Sequence, residues 1–96
     1  MATLTVVAKV VAKGNCIEDV KAELLKLVPP TRREEGCLEY RLHQDTEDPG
    51  VFIFYENWES PASLERHMNT LHFRDFVAAV DGMLAEMAVH KMTAIE

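Results

Sequence analysis

The sequence has few of the features that mark secreted, membrane or nucleic-acid-binding proteins. Two cysteines, Cys16 and Cys37, are too few for the disulfide framework of a small extracellular domain. No stretch approaches the ~18 apolar residues of a membrane span. Residues 1–4 carry no basic region followed by a long apolar stretch, so we expect no signal peptide. Acidic side chains outnumber basic ones by 16 to 10, and no Lys/Arg cluster interrupts the net charge of −6. We therefore expect a cytoplasmic protein that contacts neither membrane nor nucleic acid.

Sequence motifs for metals, nucleotides and activated nucleophiles are also missing. There is no HExxH, CxxC, GxGxxG or P-loop pattern, and no nucleophile-elbow sequence surrounds a serine. These absences argue against hydrolysis and phosphoryl transfer. We expect no bound cofactor and no metal.

The patterning that is present predicts one domain over residues 1–96. The β-branched stretch 3–12 predicts a strand. A helix follows, with Asn15 as its N-cap and Glu18 as a capping-box partner. Pro29-Pro30 should end or kink this helix, and a last turn over 31–35 would be closed by Gly36.

Two further strands and two helices follow. In the second strand of the chain, Leu38, Tyr40 and Leu42 should face the core. Residues 51–58 are apolar on both faces and predict a central strand. Ser60-Pro61 and Thr70 should cap two successive helices, and residues 89–95 predict the final strand. The side chains assigned to the buried stripe of the longer helix are Phe73, Phe76, Val77, Val80, Leu84 and Met87.

This order predicts an α+β fold of the ferredoxin-like βαββαβ type, with the second helical region split into two helices. In that topology the helices cover one face of the sheet, and the first and third strands are central. Both of these strands carry apolar side chains on both faces, so a monomer would expose an apolar patch. We therefore expect a homodimer that forms through the open sheet face.

His67 is the most informative polar residue. It shares a helical face with Leu64, Met68 and Leu71, so its ring should point into the domain. An apolar site disfavours the charged imidazole, and the neutral ring can accept a proton or orient a hydroxyl. The alternative is a core histidine that is hydrogen-bonded to a backbone carbonyl or to Glu56.

Three more side chains could serve either a pocket or the core. Trp58 ends the aromatic strand with an indole N–H donor, and Tyr40 needs a partner for its inward hydroxyl. Glu56 shares a strand face with Phe54 and Trp58, where a carboxylate requires a partner such as Arg or His. A structural pair is the plainer interpretation of Glu56, and His72 could be a solvated side chain near a helix N-terminus.

Four stretches together resemble a known family, the antibiotic biosynthesis monooxygenases, and within it the small quinol monooxygenase-like proteins. The order and spacing of the four stretches span nearly the whole chain. They are REEGCLEY at 33–40, YENWES at 55–60, LERH at 64–67 and NTLHF at 69–73.

The resemblance implies a dimeric α/β barrel that uses O₂, without metal or flavin, to oxidise a small aromatic or quinol-like molecule. The enzyme in such chemistry supplies a dry aromatic pocket, a proton acceptor and hydrogen-bond donors. By position His67 would be the acceptor, with Trp58 and Tyr40 as the other catalytic residues. The implied substrate-pocket residues are Glu56, His72, Phe73 and Phe54.

Other functions within the same family stay open. A haem-degrading branch uses an Asn in the first strand, which this sequence lacks, so haem cleavage is disfavoured. A branch that isomerises a phosphorylated sugar derivative would need cationic ligands, and only Arg66 and Arg74 lie near the pocket helices. A non-catalytic dimer that binds small aromatic molecules would use the same pocket.

Overall fold

The computed structural model of the chain describes residues 3–96 as a four-stranded antiparallel sheet with three helices. This element order confirms the predicted α+β plan with a split second helical region. Residues 1 and 2 of the predicted domain lie outside the described part. The elements are β1 (Leu4–Ala12), α1 (Ile17–Arg32), β2 (Cys37–Gln44), β3 (Val51–Trp58), α2 (Pro61–Met68), α3 (Leu71–Ala79) and β4 (Leu84–Met92).

The strand order is β2-β3-β1-β4, so β1 and β3 are the central strands, as predicted. Side chains alternate between the two faces of the sheet along each strand. On one face the alternate residues of β1 and β3 are buried by the helices and form most of the core, including Val6, Val10, Phe52, Phe54 and Trp58. The opposite face carries Val7, Val11, Val51, Ile53 and Tyr55, which are half-buried or exposed.

The start of α1 differs from the prediction. Cys16 occupies the N-cap position, and no side chain caps the helix there, so the predicted capping box of Asn15 and Glu18 is wrong. Cys16 and Cys37 are both free thiols, consistent with the absence of a disulfide framework. None of the helices within residues 3–96 is long and apolar enough to span a membrane.

The sequence predicts that Pro29-Pro30 ends or kinks α1, with a last turn over 31–35 closed by Gly36. The helix continues through both prolines to Arg32, and Gly36 follows with φ +92. A proline removes the hydrogen bond to the carbonyl four residues earlier. Here those carbonyls belong to Leu25 and Lys26, two exposed residues where water can replace the missing donors.

A bulge at the start of β2 moves one predicted core residue to the surface. The pairing of β2 with β3 shifts register between Cys37 and Glu39, which leaves Leu38 as an extra residue. Leu38 is 54% exposed, so its prediction as a core residue is wrong. Tyr40 is buried and Leu42 is half-buried on the helix-covered face.

Both predicted caps of the second helical region are confirmed. The Ser60 hydroxyl accepts from the Ser63 N–H, with Pro61 at the first helical position, and the Thr70 hydroxyl accepts from the Phe73 N–H. The break at Thr70 also changes the helical face after α2. Leu71, predicted to be buried with Leu64 and His67, is instead 76% exposed.

The end of α3 was predicted too late in the sequence. Gly82 follows the helix with φ +80, a conformation that residues with a Cβ rarely adopt. The chain reverses there, so Leu84 and Met87 belong to β4, which begins at Leu84 rather than at Val89. Val77, also assigned to the buried stripe, is exposed.

Candidate functional site

An apolar cavity lies between the helices and the covered face of the sheet. Its volume is about 30 Å³, which is room for roughly one water molecule. Its polar lining side chains are Tyr40 from β2, Glu56 from β3 and His67 from α2. Met68, Met87 and Val89 also line the cavity and are partly exposed, so they mark the side that faces solvent.

His67 is fixed in this cavity by the capped start of α2. Ser60 begins the helix, and Leu64, one turn before His67, is buried on the same face. The imidazole is 3% exposed. Its ring centroid lies 4.9 Å from that of Trp58, 5.0 Å from that of Phe73 and 5.6 Å from that of Tyr40. The predicted inward orientation of His67 is therefore confirmed.

The polar partner of His67 is Glu34, not Glu56 or a backbone carbonyl. Nδ1 of His67 lies 2.7 Å from Oε2 of Glu34. The same oxygen lies 2.6 Å from Nε2 of His72 on α3. One carboxylate oxygen thus connects the turn after α1 with the two successive helices α2 and α3.

The local backbone explains how Glu34 reaches this position. The N–H of Glu34 donates to the carbonyl of Thr31 at the end of α1, which tightens the turn. Gly36 then adopts φ +92 against Ser63 of α2, where an added Cβ would overlap the serine side chain. Only glycine lets the chain pass this close to α2, and the close approach brings Glu34 beside His67.

These hydrogen bonds assign the tautomers of both rings. A carboxylate oxygen only accepts, so neutral His67 carries its proton on Nδ1 and neutral His72 carries its proton on Nε2. Burial lowers the pKa of His67, against the opposing hydrogen bond and charge of Glu34. Nε2 of His67 makes no hydrogen bond to any described residue, so its lone pair is free for a ligand.

Glu34, His67 and His72 could also hold a metal ion, since their donor atoms lie within 4.8 Å of one another. Adjacent ligands of a tetrahedral zinc with bonds of ~2.0–2.1 Å lie about 3.3 Å apart. The distances of 2.6 and 2.7 Å in this cluster are shorter and match charge-assisted hydrogen bonds. The arrangement is that of a carboxylate orienting two imidazoles.

A second buried acid, Glu56, lies on the sheet side of the cavity. Nε1 of Trp58 donates to its Oε1 over 2.9 Å. Burial raises the pKa of Glu56 from 4.5 to about 7, despite the opposing effect of this hydrogen bond. Glu56 is therefore a cavity group that can change protonation near neutral pH.

Tyr40 completes the polar lining from β2. Its ring stacks on Phe54 with centroids 4.4 Å apart. Burial, followed by the charge of Glu56, raises the pKa of Tyr40 well above its ordinary value. The phenol therefore remains protonated and can act only as a neutral hydrogen-bonding group.

The structure brings most of the sequence-predicted site residues to one cavity. Trp58 lies behind the lining, in contact with His67 and Glu56, and His72 lies on the far side of Glu34. Glu34 itself was not predicted as a site residue. It falls within one of the four family-like stretches, but a glutamate among charged neighbours at a helix end carries no periodicity signal. The predicted residues that line the cavity are His67, Tyr40, Glu56, Phe54 and Phe73.

The family model for antibiotic biosynthesis monooxygenases matches residues 3–79 of the chain. The chain belongs to this family. A relative that aligns with most of the chain agrees with this assignment. The probable quinol monooxygenase YgiN of Escherichia coli K12 is 31% identical over 96 residues, covering 90% of this chain and 92% of that protein.

Solved structures agree with the monooxygenase family assignment. The crystal structure of PA3566 from Pseudomonas aeruginosa has a TM-score of 0.95 at 36% identity, covering 100% of this chain and 97% of that one. A crystal structure described as an antibiotic biosynthesis monooxygenase has a TM-score of 0.91 at 35% identity, covering 97% and 99%. The ferredoxin-like fold of the family is thereby confirmed.

Some sequence relatives are longer than the matched region. An uncharacterized Synechocystis protein, sll1783, is 33% identical over 81 residues, which is 80% of this chain but 55% of that protein. The putative monooxygenase YcnE of Bacillus subtilis is 34% identical over 61 residues, which is 64% of this chain and 64% of that protein. The chain thus spans between half and two thirds of the length of these two relatives.

Proposed function

We propose that this protein is a cofactor-independent monooxygenase that oxidises a small phenolic or quinol-type molecule with O₂. His67 carries the proposal. It is a buried neutral imidazole that lines an apolar cavity, with Nδ1 bonded to Glu34 and Nε2 free. Membership of the monooxygenase family supports the reaction class.

In the proposed reaction the substrate is its own reductant. Nε2 of His67 accepts the proton of a substrate hydroxyl, and the electron-rich anion passes one electron to O₂. The resulting radical pair forms a C–O bond, and loss of water leaves the oxidised ring. In total a quinol and O₂ give a hydroxyquinone and water, so one oxygen atom enters the product and the other enters water.

Two other groups have roles consistent with this reaction. Tyr40 is a neutral phenol on the cavity wall and can donate a hydrogen bond to developing negative charge. Trp58 packs against the His67 ring and orients the Glu56 carboxyl by its indole N–H. We assign Trp58 to support of the pocket, with Phe54 and Phe73 as its apolar walls.

The size of the cavity limits how substrate can enter. A ring the size of benzene occupies a cavity of about 150 Å³, whereas this one measures about 30 Å³. Substrate must therefore displace lining side chains on the solvent side. Met68 and Met87 are suited to this, because methionine is unbranched and repacks readily.

The isomerase alternative receives less support from the cavity lining. No Arg or Lys of the described chain lines the cavity. Arg66 instead donates to the Ser63 hydroxyl and Arg74 to the Asn69 side chain. A phosphorylated substrate would therefore lack a cation within the cavity.

The test is O₂ uptake with a panel of hydroquinones, using isotopically labelled O₂. We expect uptake above the buffer rate, one labelled oxygen in the product, and no hydrogen peroxide. His67→Ala should lower the rate by about 10²-fold or more, because general-base catalysis contributes 10²–10⁴-fold. Trp58→Phe should retain partial activity.

Glu65→Ala is the matched control on α2, because Glu65 is exposed and lies two residues before His67. It should leave the rate unchanged. If wild type consumes O₂ no faster than buffer with every substrate, the proposed monooxygenase activity is refuted. Ring binding without uptake would favour the non-catalytic binding protein instead.

We also propose that the protein forms a homodimer through the open sheet face. This face carries apolar side chains on both central strands, including Val7, Val11 and Ile53. Sedimentation at micromolar concentration should give twice the monomer mass, and Ile53→Glu should give the monomer mass. A wild-type monomer would contradict the proposal.

A further inference from the structure

We propose that Glu34 is the positioning residue for His67, fixing the tautomer and orientation with which that ring accepts a proton. The proposal rests on the proposed function and adds a residue to it. Glu34 does not line the cavity and does not touch a substrate there. It would act only through the imidazole.

The shared oxygen is the geometric basis of this role. Oε2 of Glu34 accepts from His67 over 2.7 Å and from His72 over 2.6 Å. A carboxylate held by one donor can rotate away, whereas two donors from different helices fix its position. The Glu34 side chain is 12% exposed and the His72 side chain is 26% exposed, so the hydrogen bonds are partly shielded from water. His72 therefore serves to hold Glu34 in place.

The proton count follows from this arrangement. Before reaction His67 holds one proton, on Nδ1, and donates it to Glu34. The substrate hydroxyl proton then moves to Nε2, which leaves an imidazolium beside the carboxylate. No proton needs to pass to Glu34, because the negative charge stabilises the cation where it forms.

The groups that face His67 come from one turn, one helix and two strands. They are Glu34 from the turn after α1, His72 from α3, Tyr40 from β2 and Glu56 from β3. Glu34 favours the protonated ring, and His72 opposes it. Glu56 lines the same cavity and titrates near pH 7. A test by pH dependence must therefore separate His67 from Glu56.

Glu34→Gln tests the role with almost no change in shape. An amide can turn its NH₂ group toward Nδ1 and so force the proton onto Nε2, where it blocks proton acceptance. In serine proteases the corresponding change costs about 10⁴-fold in kcat. Since Glu34 is partly exposed, we expect about 10²-fold here. Glu34→Asp should keep more activity, and Glu35→Gln, an exposed neighbour, should match wild type.

The pH profile separates positioning from a purely structural role. Activity needs neutral His67, so kcat should rise with pH through the pKa of that ring. Loss of the Glu34 charge should lower the pH at which kcat rises by about one unit or more, because the carboxylate no longer favours the protonated ring. Measurement in a Glu56→Gln background removes the carboxyl that titrates in the same range. If kcat of Glu34→Gln rises with pH at the same point as kcat of wild type, the proposal is overturned, whatever the value of kcat at high pH.

Nitrogen NMR of the histidine rings tests the same proposal without substrate. We expect His67 as the Nδ1–H tautomer and His72 as the Nε2–H tautomer in the folded wild type, with His67 altered in Glu34→Gln. Thermal unfolding first establishes that the variant folds, and His72→Gln offers a second perturbation of the carboxylate. An Nε2–H tautomer of wild-type His67 would refute the role of Glu34. If no quinol is oxidised, this measurement still decides the positioning, and only the proposed function fails.

Discussion

The two glutamates near His67, Glu34 and Glu56, differ in how their charge is accommodated. Glu34 lies on a turn and accepts from two imidazoles of different helices. Glu56 lies on a central strand and accepts from one indole of its own strand. Burial outweighs that single donor and raises the pKa of Glu56 to about 7. We therefore propose that Glu34 orients the two imidazole rings, whereas Glu56 changes protonation within the cavity.

This difference also separates two kinds of constraint on the fold. The Glu34 contacts join segments far apart in the sequence, so they report how α2 and α3 pack against the turn after α1. The Glu56 contact joins residues two apart on one strand. The pKa of Glu56 therefore depends mainly on how far the cavity excludes water. Substitutions at the two acids should accordingly have different signatures.

The largest expected effect is on the pH dependence of stability at Glu56. Its pKa is raised from 4.5 to about 7, so the folded state binds this proton more tightly than the unfolded state does. The contribution is fully present below about pH 4.5, is lost as pH rises to about 7, and stays lost above that. The shift corresponds to about 3 kcal/mol at most.

Glu56→Gln should remove this dependence. In urea unfolding, the stability of wild type relative to the variant should fall by up to about 3 kcal/mol between about pH 5 and pH 8. Glu35→Gln, on the exposed turn, should keep the wild-type curve. Parallel curves for wild type and Glu56→Gln would mean that Glu56 is well solvated and that the comparison fails.

A smaller effect is expected from removing the shared acceptor. Glu34→Ala leaves the buried Nδ1–H of His67 without a partner, which should cost about 2 kcal/mol in the free energy of unfolding. His72→Ala removes a donor on the solvent side and should cost about 1 kcal/mol or less. Urea unfolding at neutral pH measures both. Equal losses would show that the two imidazoles are held equally and would remove the distinction between them.

The smallest effect uses Cys37 as a reporter of both acids. Burial, then the charge of Glu34, then that of Glu56, raises the pKa of the Cys37 thiol to about 11. Thiolate is the reactive form, so alkylation at about pH 8 should be slow. Mass spectrometry should show a several-fold faster reaction in Glu34→Gln and a smaller increase in Glu56→Gln. The reverse order would contradict the assigned positions of the two charges.

The central strands and the inward histidine could be predicted because each follows a local period. Val6 and Phe52 alternate with residues of the open face, and His67 shares a helical stripe with Leu64. Caps at Ser60 and Thr70 carry their own signal in residue type. These features depend on neighbours within one or two turns, which the sequence contains.

The features that sequence reasoning missed depend on contacts between distant segments. The bulge at Leu38 arises from pairing with β3. The spacing of Leu84 and Met87 is compatible with a helix or with a strand. These residues form a strand because they pair with β1. Glu34 becomes a site residue only because Gly36 lets the turn approach α2.

The single oxygen shared by His67 and His72 also connects the part of the cavity lining that lies on α3 to the proposed base. Phe73, a lining residue in contact with the His67 ring, is the next residue after His72. A substrate that displaced Phe73 would therefore also disturb the hydrogen bond from His72 to Glu34. We therefore expect ligand binding and the proton affinity of His67 to be coupled.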